Sequence, residues 1–159
     1  MTDVSTPDSD GTTPKGPVLF VYDGSALAAL AIEHAGRELA SDRDALVLCV
    51  WQPADVGFEP VNKRRFDADA ASEVRQAAEE TAAYGASLAR SAGFRAEGLA
   101  VEAAPTWKGI IHTAEEHHVS LIVLGAHRHT GLVGHLLGSV AAAVVSHAVC
   151  CVLVVHADS

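Results

Sequence analysis

The sequence predicts a doubly wound α/β domain, a parallel sheet covered by helices on both faces. Three observations lead there. Several runs of strand length are apolar throughout and rich in Val, Leu and Ile, with no polar alternation, so each reads as a strand buried on both faces. Between these runs, apolar residues recur every three or four positions, the period of an amphipathic helix. The two kinds of segment alternate as βαβαβαβαβ, which right-handed crossovers convert into a parallel sheet with helices on both sides.

The elements follow in order. Residues 1–16, MTDVSTPDSDGTTPKG, hold almost nothing to bury and are expected to form a disordered tail ahead of a domain over residues 17–159. PVLFVY, residues 17–22, is the first strand. Asp23-Gly24-Ser25 breaks it, and Ser25 is placed to cap a helix carrying Ala29, Ile32, Gly36 and Leu39 on its apolar face. ALVLCVW, residues 45–51, is the second strand, and the prolines and glycine of residues 52–65 mark a long loop. A long Ala-rich helix over residues 66–92 presents Phe66, Ala70, Val74, Ala77, Thr81, Gly85 and Leu88, and Gly93 suits its C′ position. Residues 94–101 form a more polar strand, better placed at a sheet edge than at its centre. Pro105 and Thr106 open a third helix that would bury Ile110, Ile111 and Ala114. The fourth strand, residues 121–124, is expected to stop at Gly125. A loop rich in glycine and histidine leads to Gly138-Ser139 and a fourth helix over residues 139–147, with Val140, Ala143, Val144 and His147 along one face. CVLVV, residues 151–155, closes the series.

Composition narrows the function. A chain of 159 residues with 49% apolar and 19% charged residues has the makings of one globular domain with a full core. A formal charge of −9 argues against a nucleic-acid partner, since neutralising phosphates needs clustered Lys and Arg, and the run Lys63-Arg64-Arg65 reads as a solvated loop. No secretory signal is visible, and no apolar run nears the ~20 residues of a membrane helix, so a cytoplasmic location without a membrane partner is expected. Cys49, Cys150 and Cys151 lack metal-binding spacing and are expected to be free buried thiols. The histidines between His112 and His135 raise a metal question. They show no H-x3-H or H-E-x2-H spacing on a helix, so no metal site is assigned and the imidazoles read as exposed or phosphate-proximal.

In an open parallel sheet, ligands bind beyond the carboxyl ends of the strands, where the winding reverses. Asp23 follows the first strand, Val50 sits at the end of the second, and Gly125 follows the fourth. Gly138 and Ser139 open a helix whose first amides have no intrahelical partner and whose dipole favours an anion. Were the first and fourth strands neighbours, the carboxylate could meet a ribose, backbone groups around Val50 an adenine edge, and the Gly138-Ser139 amides phosphates. Each residue also has a plainer role open to it: Asp23 as a turn residue, Gly125 as a turn, Ser139 as a cap, Val50 as core. GxxxxGK[ST], GxGxxG after the first strand and GxSxG are all absent, so a nucleotide site would be of another kind.

One family pattern does fit. Gly125, two residues, Arg128, nine residues and Gly138-Ser139 follow the frame G-x2-G-x9-G-[ST], set among LIVLG, HTGL, LLGSV and CVLVV, with VYDGS at the other end. From residues 17 to 156 the chain resembles a single-domain bacterial universal stress protein. The resemblance implies a Rossmann-like sheet of order 3-2-1-4-5, akin to the adenine nucleotide alpha hydrolases, binding ATP, with Mg²⁺ as the nucleotide's own ion. It places Asp23 at the ribose and adenine side, Val50 at the adenine, and Gly125, Gly138, Ser139 and Val140 at the phosphates. It also implies a homodimer through the last strand. Two positions depart from the family: Arg128 stands where the second motif glycine belongs, and Cys151 where Pro is usual. An Arg there could obstruct the phosphates or add charge-assisted hydrogen bonds to them. Nothing sets up a nucleophile or a paired-carboxylate device, although Asp23 and His127 could be nominated as bases. A regulatory ATP-binding role leads. A stress protein acting through protein contacts alone and a slow ATP hydrolase remain alternatives.

Overall fold

Val18, Leu19 and Phe20 are essentially inaccessible to solvent, as a strand covered on both faces demands. Successive side chains take opposite faces: Val18 and Phe20 join one apolar cluster and Leu19 another. In this computed structural model, which describes residues 16–52, 66–127, 129–131 and 134–157, the elements run β1 (Val18–Val21), α1 (Ala26–Glu38), β2 (Asp44–Trp51), α2 (Phe66–Ser91), β3 (Arg95–Glu102), α3 (Thr106–Glu116), β4 (Leu121–His127), β5 (His129–Gly131), β6 (Gly134–Leu136), α4 (Ser139–His147) and β7 (Cys151–Ala157). The expected tail, apart from Gly16, and nearly all of the expected loop over residues 52–65 lie outside the described residues.

The main sheet has the order β3-β2-β1-β4-β7, all neighbours parallel, which is the 3-2-1-4-5 order implied by the family resemblance. α1 and α2 cover one face, where Phe20, Val47 and Ile32 pack with Phe94 and the small residues Ala31, Ala35 and Ala86. α3 and α4 cover the other, around Leu19, Leu48, Ile110, Ile122 and Val144. Full burial of each such large side chain is worth about 1.5–3 kcal/mol, so both layers contribute heavily to stability. Trp107 of α3 stacks on His147 of α4, ring centroids 4.3 Å apart at 25°, and the imidazole Nδ1–H donates to Ala143 O at 2.8 Å. That contact fastens the two helices of this face together.

α2 ends as Gly93 suggests. Gly93 has φ +104°, its N–H donates to Arg90 O and the Phe94 N–H to Ala89 O, which satisfies the last carbonyls and aims Phe94 at Phe20. β3 is an edge strand, as its polarity indicates.

Several expectations need correction. β4 does not stop at Gly125. It runs to His127, because β7 continues beside it and pairs Gly125 with Val155, Ala126 with His156 and His127 with Ala157. Where a plain loop is expected, the glycine-histidine segment contains a two-stranded antiparallel ladder, β5 with β6. The apolar face of α1 is rotated from the expected one: Leu27, Ala28, Ala31, Ile32 and Ala35 are buried, and Leu39 lies beyond the last turn. On α4, Ala141 and Val144 are buried while His147 is exposed. The cysteines are free, but only Cys49 is buried; Cys150 is half-buried and Cys151 exposed on the edge strand.

Candidate functional site

The turn after β1 is built by hydrogen bonds within its own sequence. The Ser25 N–H donates to Asp23 Oδ1 at 2.9 Å, Gly24 takes φ +84°, and the Ala28 N–H donates to Ser25 Oγ at 3.1 Å, capping α1 as expected. Asp23 is therefore a turn residue, and its side chain, fixed by a bond to one carboxylate oxygen, also lines the crevice.

Gly125 has a different reason to be glycine than a turn. A Cβ there would lie 2.6 Å from Leu27 Cγ and 3.1 Å from Leu27 O, so its absence lets α1 settle onto β4. Across the crevice Gly138 is the N-cap of α4 and offers no side chain; its carbonyl accepts from the Ala142 N–H at 2.9 Å. The amides of the first turn are thus left without a side-chain cap at the positive end of the helix dipole.

β1 sends its chain to α1 on one face and β4 sends its chain to α4 on the other, so the two neighbouring strands open a crevice between their carboxyl ends. The cavity there measures about 400 Å³, and its wall includes Asp23, Gly125, His127, Gly138, Ser139 and Val140. Residues 23, 125, 138, 139 and 140, separated by more than a hundred positions in sequence, are thus brought together. Val50 is not part of the described wall. Its side chain faces α3 with the cluster of that side, close enough that a Cβ on Gly109 would meet Val50 Cγ1 at 3.4 Å. Arg128 lies outside the described residues.

Sequence reasoning missed Thr106, which also lines the cavity. In the sequence it marks only the start of a helix; the available signal is that this helix begins shortly after a strand's carboxyl end. Gln52, one residue past β2, donates from Nε2 to Thr106 Oγ1 at 3.4 Å.

Two titratable groups near Asp23 are held more firmly in their neutral forms. Burial pushes the Cys49 thiol up, and the Asp23 carboxylate adds to the shift, so the neutral form is favoured. Burial likewise raises Tyr22, with smaller contributions from Tyr84, Asp23 and Cys49. Among the described residues no three His, Cys, Asp or Glu side chains are grouped to hold a metal ion, and no helix is long and apolar enough to cross a membrane.

Fold and crevice together define an open α/β protein with an anion-ready helix N-terminus at its topological switch point. The family model described as universal stress protein family matches residues 16–156, and the chain belongs to that family. No curated protein matches the chain in sequence. Among solved structures, the hypothetical protein MJ0577 is similar with TM-score 0.72 and 23% identity, over 91% of this chain and 98% of that one. A universal stress protein in complex with cAMP has TM-score 0.63 and 24% identity over 90% and 98%. The universal stress protein from Archaeoglobus fulgidus in complex with dAMP has TM-score 0.52 and 21% identity over 87% and 96%. At these identities the likeness speaks for the fold.

Proposed function

We propose that the chain binds an adenine nucleotide, ATP in the first instance, in the crevice between β1 and β4, and that occupancy regulates rather than catalyses. The observation that carries this reading is the convergence of the Asp23 turn and the uncapped first turn of α4 on one cavity of about 400 Å³. That volume lies within the usual range for a small-molecule site, roughly 300–1,000 Å³. The amides of Ser139 and Val140, with the Ser139 hydroxyl, are suited to phosphate oxygens; Gly138 sets no side chain before them, and the backbone of Gly125 lines the same wall. The Asp23 carboxylate accepts from a ribose hydroxyl, and Arg128 supplies a guanidinium to the phosphates. Mg²⁺ enters on the nucleotide's own phosphate oxygens, as is common where a protein offers few carboxylates. The complexes of two structural neighbours with cAMP and dAMP support an adenine-bearing ligand.

The chain is further proposed to pair with a second copy through β7. This strand is an open edge of the sheet, Val152, Leu153 and Val154 are only half-buried, and Val145 and Val149 are exposed close by in sequence. An apolar edge of this kind is satisfied by another strand.

Nucleotide-free protein melted with and without millimolar Mg-ATP tests the binding, together with chromatography of whatever the purified protein releases on denaturation. A raised melting temperature or released adenine nucleotide is expected. No shift and no release would leave the protein-contact reading in its place. If Arg128→Gly then gained binding, Arg128 would be the cause of the loss. ADP formed from ATP by the wild type but not by Asp23→Ala would instead favour the slow hydrolase.

A further inference from the structure

The Asp23-Gly24-Ser25 turn ends β1 early, and the sheet changes character beyond it. β1 pairs with β4 only at Val18–Leu121, Leu19–Ile122 and Phe20–Val123. β4 and β7 continue, with Gly125 beside Val155, Ala126 beside His156 and His127 beside Ala157. Past the end of β1 this side of the sheet is therefore a ribbon of two strands, a form that is marginal by itself in water. Its faces are braced near the base: Leu27 of α1 lies over Gly125, and Ala126 is buried in the cluster beneath α3 and α4. Its two edges are not. Along one, Gly125, Ala126 and His127 line the cavity, and among the described residues no further strand pairs with them there; along the other, β7 is the last strand of the sheet. The same few residues thus separate the crevice from the strand proposed to meet a second copy.

We infer that nucleotide in the crevice and pairing of β7 with a second copy favour one another, with this ribbon as the shared element. The inference rests on both readings given above, the adenine-nucleotide site and the β7 pairing. A strand edge without a neighbour presents backbone amides and carbonyls. A ligand seated against β4 meets them along the inner edge, and a second copy meets them along the outer one. A two-fold dimer brings the two β7 strands together antiparallel, the same patch facing itself. Full overlap of Cys151–Ala157 then sets Val154, the middle of its seven residues, opposite its twin. Val155 comes opposite Leu153 of the second copy, and Ala157 opposite Cys151. Cys151 and Leu153 belong to the part of β7 that lies beside Leu121 and Val123, where β1 backs β4. Each ribbon tip is thereby laid along the well-supported base of the other copy's strand. The first partner to arrive orders the tip against its conformational entropy, and the second finds it ordered, which is positive coupling without any large movement.

Sedimentation of the full chain over a dilution series, with and without saturating Mg-ATP, tests the linkage, and calorimetry on the same samples measures nucleotide binding. With nucleotide the dimer is expected to dissociate at a concentration at least about fivefold lower, the low end of usual allosteric coupling. Reciprocity requires the affinity for Mg-ATP to rise by the same factor from monomer to dimer. Hydrogen exchange at the amides of Ala126, His127, His156 and Ala157 should be slowed by Mg-ATP in the dilute monomer, and by dimerisation without nucleotide. Val154→Lys, which sets two ammonium groups face to face across the two-fold axis, should stay monomeric and bind Mg-ATP with the affinity of the dilute wild type. Circular dichroism checks its fold, and the wild-type dilution series stands without it. Bound nucleotide with an unchanged or weakened dimer would overturn the linkage and leave the site intact. Coupling without slower exchange in those four residues would overturn the ribbon as its carrier. A wild type that binds no nucleotide, or that stays monomeric at every concentration, would remove the corresponding premise and the inference with it.

Discussion

The two ends of the sheet each carry a hollow, and the larger one is the less suited to a ligand. At the amino ends of β1 and β2, a cavity of about 770 Å³ is lined by residues such as Pro17, Asp44, Arg90, Phe94, Arg95 and His117. Its charged groups are largely spent on one another and on the backbone. Arg95 Nε meets Asp44 Oδ1 at 2.8 Å, and the Arg90 guanidinium donates to Ala96 O at 2.8 Å. Just beyond, the Ser120 hydroxyl donates to Gly16 O and accepts from Arg43, which ties the chain's entry into β1 to the start of β4. At the carboxyl ends the cavity is about 400 Å³, and its polar groups are less engaged within the chain: helix amides without a side-chain cap, and a carboxylate held by one oxygen. Volume and the state of the hydrogen-bonding groups therefore rank these two hollows in opposite order. One end fastens the fold; the other is where the proposed nucleotide site lies.

The comparison breaks most severely at Gly125. Gly125→Val places a Cβ within 2.6 Å of Leu27 Cγ and 3.1 Å of Leu27 O, so α1 must move off β4. Overpacking of this kind costs about 1–3 kcal/mol, and the displaced helix carries the Asp23 turn with it. Urea unfolding should show a lowered midpoint at unchanged slope, and ATP binding should fall below detection. A normal midpoint with lost binding would mean that Gly125 matters only to the ligand. Next comes Asp23→Ala, which removes the acceptor for the Ser25 N–H. The turn should lose about 1 kcal/mol, and ATP affinity should fall at least about tenfold, because a turn bond and a ligand contact go together. Asp23→Asn keeps an acceptor for Ser25 and should recover the stability but not the affinity; recovery of both would show that the charge is irrelevant. Smaller again is Ser25→Ala. The lost cap of α1 should cost about 1 kcal/mol in urea unfolding, with a smaller loss of affinity than Asp23→Ala, because Ser25 also lines the cavity.

How much of this was legible in the sequence depended on how local the cause is. The buried strands announced themselves because both faces of β1 and β2 are covered, so apolar residues at every position were required. Gly93 and Ser25 were legible because a cap acts within a few residues of itself. The end of β4 is not legible locally, because its continuation is set by pairing with β7, thirty residues away, and because the missing side chain at Gly125 makes room for Leu27 of α1, which no local pattern encodes. The rotated face of α1 has the same origin: Ala29 and Ala28 are equivalent to a periodicity count, and only the position of the sheet chooses between them. Thr106 escaped because its partner Gln52 is fifty-four positions distant and neither residue belongs to a motif. The motif residues Asp23, Gly125, Gly138, Ser139 and Val140 were legible as a set through the family frame, and the cavity supplies the physical reason for their spacing.

The weakest expected effect is at the other end of the sheet, and it is the sharpest control. Arg95→Ala removes the ion pair with Asp44, in which both side chains are about two-thirds exposed. The carboxylate holds the Arg95 guanidinium more firmly charged than usual, through its hydrogen bond first and its charge second. Guanidinium is ionised throughout any practical pH range regardless, so this shift gives no pH dependence. An exposed pair is screened by water and salt and often contributes nothing measurable. The melting temperature should therefore be unchanged in 0.15 M salt, and the ATP affinity should match the wild type. Loss of ATP binding in this variant would mean that the larger cavity, or a coupling between the two ends through β2, takes part in recognition. Unchanged binding here beside lost binding in Asp23→Ala would locate recognition at the carboxyl end alone.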